Sequence, residues 1–169
     1  MVHIVIDGYN YMMRTVASRV QNGANLDVLR RGVLEKLSRY KRRKGSKVTI
    51  VFDAYNSMSP GRQRESYLGV DVVYSKENET ADDVIIGWIR ERRAGMVVVT
   101  SDRAIIDEAK RAGVAFITPK ALEEMIADGM TGKDEGSDDE EEISPRKKGN
   151  PRKLPKKLRK ATKAILKIS

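Results

Sequence analysis

Five aspartates carry most of the chemistry in this 169-residue sequence, and each lies close to an apolar, strand-like run. Asp7 closes HIVID, Asp53 closes KVTIVFD, and Asp102 follows MVVVTS. Asp82 and Asp83 stand in ETADD, a few residues after VDVVY. Each has an ordinary use when taken alone. Asp7-Gly8 can shape a turn, Asp82 and Asp83 can offset the positive end of a helix, and Ser101 or Asp102 can cap one. Together they are harder to explain, because carboxylates crowded at one rim repel unless a cation neutralises them. All-oxygen ligation suits Mg²⁺ or Mn²⁺, with waters completing the shell. The set Asp7, Asp53, Asp82, Asp83 and Asp102 therefore reads as a divalent-metal site, provided the fold gathers it.

The surrounding pattern supplies such a fold. Strands are expected over 2–6, 47–52, 70–74, 96–100 and 115–118, as short β-branched runs bounded by turn residues. Apolar residues at three- and four-residue steps mark a helix over 26–44, stopped by Gly45. Further helices are expected over 80–93, from about 103 to 112, and after Thr118-Pro119. The stretch 54–69, with Ser59-Pro60-Gly61, reads as a loop. Strands alternating with helices imply an α/β protein with a mostly parallel sheet of about five strands, covered on both faces. Function in such sheets gathers at the carboxyl ends of the strands, near the topological switch point. All five aspartates are expected on that edge.

Other chemistries lack the residues they need. The sequence has no cysteine, and its only histidine, His3, lies at the amino end of the first strand. Ser-His-Asp, Cys-His and two-histidine mechanisms are therefore out of reach, and His3 reads as structural. Neither phosphate-cradling glycine motif is present, so no small-molecule cofactor is expected. The remaining reading is metal-assisted hydrolysis of a phosphodiester. The formal net charge is +9, unevenly spread. Residues 1–130 hold 21 Lys/Arg against 17 Asp/Glu, 131–143 hold 1 against 7, and 144–169 hold 11 against none. The expected organisation is a nuclease domain over 1–130, an acidic disordered linker over 131–143 and a basic amphipathic arm over 144–169. With no apolar span and no leader pattern, a cytoplasmic protein without membrane contact is expected.

DGYN at 7–10, VFDA at 51–54, ETADD at 79–83 and VTSD at 99–102 resemble the motifs of the NYN (YacP-like) branch of the PIN-like nucleases, in order across about residues 2–127. The resemblance implies a three-layer α/β/α fold and a metal-dependent endoribonuclease, some relatives of which act with ribosomes. Carried over by position, it implies Asp7, Asp82 and Asp102 as the main metal-binding carboxylates and Asp53 as a further acidic member. Asn10 would hold Asp7 or a scissile phosphate through its amide, and Thr100 or Ser101 would support the shell. In one departure, many relatives have Glu or Gln a few residues after TSD, where this chain reads Arg103-Ala104-Ile105-Ile106.

RNA is the expected partner, with the ribosome as a candidate assembly. Arg62 and Arg64, with Tyr55 and Tyr67, are expected to extend from the acidic rim and grip phosphates or stack a base. Arg14, Lys76 and Arg103 join them, although Arg103 could equally pair with Asp102. On the arm, Arg152, Lys153, Lys156, Lys157, Arg159 and Lys160 are expected to contact RNA. The competing reading is a non-catalytic RNA- or ribosome-binding module with a degenerate nuclease fold.

Overall fold

A computed structural model describes residues 1–54 and 60–130 of the chain. The elements are β1 (His3–Asp7), α1 (Gly8–Thr15), α2 (Ala17–Gln21), α3 (Leu26–Lys44), β2 (Lys47–Phe52), β3 (Gln63–Tyr67), β4 (Val70–Tyr74), α4 (Ala81–Arg90), β5 (Met96–Val99), α5 (Arg103–Ala112), β6 (Ala115–Ile117) and α6 (Pro119–Met130). The expected linker and arm, with their six RNA-contact candidates, lie outside the described residues, as does Tyr55.

The central strands read as continuous apolar runs because both their faces are covered. Ile4, Ile6, Val48, Ile50, Val97 and Val99 point to one face, where α1, α3 and α6 pack. Val5, Val51, Val73 and Val98 point to the other, against Val84, Ile85 and Trp88 of α4 and Ile105 of α5. The result is the three-layer α/β/α arrangement. The sheet has six strands in the order β3-β4-β2-β1-β5-β6, all parallel except β3, which runs antiparallel to β4. From β1 the chain winds out to β2 and β4, then returns to lay β5 and β6 on the other side. The switch point thus falls between β1 and β5.

Two differences from the sequence expectation follow from what is exposed. The predicted loop contains β3, whose residues QRESY are almost all exposed. It is an edge strand joined to β4 through backbone pairing, so it carries no apolar alternation to read. Its direction also corrects Tyr67. Gln63 pairs with Tyr74 at the carboxyl edge, and Tyr67 pairs with Val70 at the opposite one. Tyr67 packs on the core there, away from the acidic rim.

The second difference is α1, which begins at Gly8 where a turn was expected. Glycine is unfavourable in a helix, so its presence needs a local reason. A Cβ at position 8 would stand 2.5 Å from Phe52 Cε1 and 2.7 Å from the Val51 carbonyl oxygen. The Phe52 ring has little freedom to retreat, since it stacks on Tyr74 at 6.1 Å and lies under the Arg30 guanidinium at 5.6 Å. Gly8 therefore lets the start of α1 lie against the end of β2. Farther along α1, the buried Tyr11 hydroxyl donates to Glu123 of α6, whose other oxygen accepts from Lys36 of α3 at 2.8 Å. That network fixes α1 between its two neighbours.

Gly8→Ala should therefore destabilise the fold by about 1–3 kcal/mol, the usual range for overpacking. Gly32→Ala in α3, where nothing lies within 4 Å of the added Cβ, should stabilise it by roughly 0.5–1 kcal/mol. Urea denaturation of the two variants checks the opposite signs.

Candidate functional site

Three of the rim carboxylates are held by the start of a helix. Asp7 is the last residue of β1 and the N-cap of α1, with its Oδ1 accepting from the Asn10 backbone N–H at 3.3 Å. Asp102 caps α5, its Oδ1 accepting from the N–H groups of Ala104 at 2.8 Å and Ile105 at 3.2 Å. Asp53, just past β2, accepts from the Ala81 N–H at 2.6 Å and so serves the first turn of α4 from across the rim. The capping and site readings of these residues are therefore compatible: one oxygen holds a helix, and the carboxylate stays at the rim. The Asp82 carboxylate differs in accepting no hydrogen bond among the described residues, which leaves both its oxygens free.

Asp7, Asp53, Asp82 and Asp102 line one cavity of about 510 Å³, together with Tyr9, Asn10, Met13, Arg14 and Thr80. This volume is within the range of small-ligand sites. Asp83 is not among the lining residues. Its carboxylate turns back to the Thr80 N–H at 3.0 Å, completing a reciprocal capping box on α4. The structure thus gathers four of the five aspartates and gives the fifth a capping task.

Electrostatics register burial first and the gathering second. Asp7 is buried, and its carboxyl is pushed up from 3.8 to about 6. Burial is the main cause; the Asn10 N–H and the Thr100 hydroxyl act the other way, while the charges of Asp82 and Asp102 add to the rise. The Asp82 carboxyl is also raised, first by burial and then by Asp102, Asp53 and Asp83. The donor set is hard carboxylate oxygen, which fits Mg²⁺ or Mn²⁺ in kind. Among the described residues, no three carboxylates or imidazoles stand close enough to cage an ion directly. Mg²⁺ commonly keeps several waters and takes only one or two carboxylates, so this spacing is compatible with a largely hydrated ion.

The Asn10 amide has a task beside those expected of it. Its Oδ1 accepts from the Ser101 backbone N–H at 2.9 Å and the Ser101 hydroxyl at 3.0 Å, tying α1 to the loop after β5. A backbone N–H can only donate, so the atom it meets must be the amide oxygen, and Nδ2 remains as a donor. It is the Asn10 backbone, not its amide, that reaches Asp7. Thr100 donates to Asp7 Oδ2 at 3.3 Å and accepts from the Asp102 N–H at 3.0 Å, linking two rim carboxylates.

The basic candidates divide. Arg14 lines the cavity, with Nε donating to Ser101 Oγ at 3.1 Å and no ion pair among the described residues. Arg62 is instead engaged by Glu79, through Nε at 2.9 Å and Nη2 at 2.5 Å, so its charge is already matched. Arg64 lies on β3, Lys76 after β4, and Arg103 at the start of α5; all three are exposed and outside the cavity lining. Arg103 makes no ion pair with Asp102, whose oxygen serves the helix. His3 lies at the opposite end of β1, bonded to Thr49 Oγ1 at 2.8 Å and lowered to about 4, mainly by burial. Sequence reasoning missed Tyr9 and Met13, whose signal was their four-residue spacing beside the quoted DGYN.

The model of the YacP-like NYN domain matches residues 4–167. A curated relative, the uncharacterised protein YacP of Bacillus subtilis (strain 168), is 28% identical over 82 residues. That alignment spans 48% of this chain and 48% of the relative, about half its length. Two crystal structures of Rae1 (YacP) from Bacillus subtilis, one a point mutant, share the fold. The mutant superposes with a TM-score of 0.61 at 23% identity over 76% of each chain. The other gives 0.59 at 22% identity, over 76% of this chain and 75% of that one.

The raised Asp7 carboxyl has a consequence for stability. The folded chain binds this proton more tightly than the unfolded one, so the contribution is complete below 3.8 and lost as pH rises through about 6. Without divalent cations, Asp7→Asn should match the wild type near pH 4 and exceed it above pH 6, by at most about 3 kcal/mol. Asparagine still caps α1, so the gain survives the substitution. Denaturant melts across this pH range measure it.

Proposed function

This chain belongs to the YacP-like NYN domain family, a family of PIN-like nucleases, and we propose that it is a metal-dependent endoribonuclease. The observation that carries the reading is the gathering of Asp7, Asp53, Asp82 and Asp102 around one cavity at the switch point. Asp7, Asp82 and Asp102 would hold Mg²⁺ or Mn²⁺ in part through its bound waters, with Asp53 as the further acidic member. A bound ion of this kind supplies hydroxide from water and offsets charge building on the phosphodiester.

The chain's own groups have separable tasks. The Arg14 guanidinium, anchored by a neutral hydroxyl, is placed to meet a phosphate that the carboxylates alone would repel. Asn10 Nδ2 is a neutral donor at the same cavity. Thr100 and Asn10 keep the loop after β5 in register with β1, so that Asp7 and Asp102 stay side by side. With the only imidazole at the far edge, proton transfer falls to the carboxylates and to water. RNA would be the partner, with the ribosome as a candidate assembly and the cytoplasm as the compartment; among the described residues no helix is long and apolar enough to cross a membrane. The arm over 144–169 would add a polyanion contact through its 11 Lys/Arg.

A second reading, a non-catalytic RNA-binding module, draws on Asp7, Asp53 and Asp102 acting at helix starts. The two part on activity. Wild type should cleave RNA with Mg²⁺ or Mn²⁺, and Asp82→Asn or Asp7→Asn should abolish cleavage while leaving the melting transition cooperative. Retained cleavage in either pure variant would remove that residue from the site. Deleting 144–169 should weaken RNA binding and flatten its dependence on log salt, read by titrations between 50 and about 200 mM. An unchanged slope would assign the arm another task.

A further inference from the structure

Two residues that line the cavity belong neither to the carboxylate set nor to its supports. Tyr9 is 64% exposed, and its hydroxyl has no partner among the described residues. Met13 follows four positions later, so one turn of α1 brings both side chains to the same stripe of the helix. The contrast within α1 is informative. Tyr11 and Met12 are buried and pack in the core, with the Tyr11 hydroxyl fixed by Glu123. The helix therefore carries one aromatic and one thioether inward for stability, and a second such pair out to the acidic cavity, where they contribute no packing to the core.

An exposed aromatic ring beside a thioether offers a flat, polarisable surface. Arg14, the residue after Met13, stands in the same cavity and forms no ion pair among the described residues. A ligand satisfying both would be a planar group joined to an anion, which is the composition of a nucleotide. We infer that Tyr9, supported by Met13, stacks an unpaired nucleobase next to the phosphate at the carboxylate rim. This inference rests on the cavity being a ribonuclease site, and it sharpens the substrate class. A base inside a duplex has both faces covered by its neighbours and its edge paired, so only an unpaired or extruded base can lie on Tyr9. The site then selects for single-stranded character, and a ring with a π-face is enough for any of the four bases.

The test uses a short oligoribonucleotide carrying one 2-aminopurine, bound to the full chain with Asp82→Asn so that cleavage does not intervene. Single-stranded probe should be quenched on binding, as expected for a base stacked on an aromatic ring. Adding Tyr9→Ala should remove the quenching and weaken binding about tenfold, the scale of one lost stacking contact. Adding Tyr9→Phe instead should restore both, because the ring and not the hydroxyl does the stacking. The melting temperature should be unchanged in all three, since Tyr9 is exposed. Equal affinity and quenching with Tyr9→Ala would overturn the inference, as would duplex probe bound and quenched like single strand. The readout is binding without turnover, so a wild-type chain that fails to cleave RNA with Mn²⁺ overturns the enzymatic reading separately from this result.

Discussion

Mutual repulsion among carboxylates is the constraint that the rest of this fold is arranged around. Asp7, Asp53, Asp82 and Asp102 lie at one cavity, and the Asp7 and Asp82 carboxyls are raised there by burial first and by their neighbours' charge second. Three of the four are restrained by the N–H groups that open α1, α4 and α5. A helix start is the natural place to hold a negative charge, because its N–H groups lack internal partners and its dipole is positive there. The parallel sheet delivers three helix starts to the same edge, since every strand-to-helix connection emerges on that side. Fold and charge cluster are thus two consequences of one topology.

The arrangement makes demands at positions that bear no charge. Gly8 must lack a side chain so that α1 can begin against Phe52 and the Val51 carbonyl. Without that approach Asp7 could not end a strand and cap a helix at once. The Tyr11, Glu123 and Lys36 network then locks α1 to α3 and α6 on the covered face, leaving Tyr9 and Met13 on the cavity. Asn10 and Thr100 tie the end of β1 to the loop after β5, so hydrogen bonds bridge the switch point beside the cavity.

Much of this was legible in the sequence because burial on both faces writes itself as continuous runs such as KVTIVF and MVVV. Those runs located the strand ends, and with them the aspartates. What stayed hidden was whatever depends on partners distant in sequence. β3 carries exposed polar residues and is specified by its pairing with β4, which no local pattern reveals. Arg62 looked free for phosphate until Glu79, seventeen residues on, was found beside it. Asp82 and Asp83 are adjacent and chemically identical, yet helix geometry sends one to the cavity and the other to the Thr80 cap. The turn reading of DGYN gave way to a helix because the reason for Gly8 lies on β2.

Thermal melting of the apo chain against increasing Mn²⁺, with Asp82→Asn in parallel, tests most directly whether this rim exists to hold a cation. The Asp82 carboxylate accepts no hydrogen bond among the described residues, so its replacement removes no cap. The wild-type midpoint should climb with the logarithm of Mn²⁺ once the ion exceeds its Kd, as binding to the folded state requires. The Asp82→Asn midpoint should stay flat over the same range. A wild-type midpoint that ignores Mn²⁺, or an Asp82→Asn midpoint that climbs equally, would contradict a metal-holding role for these carboxylates.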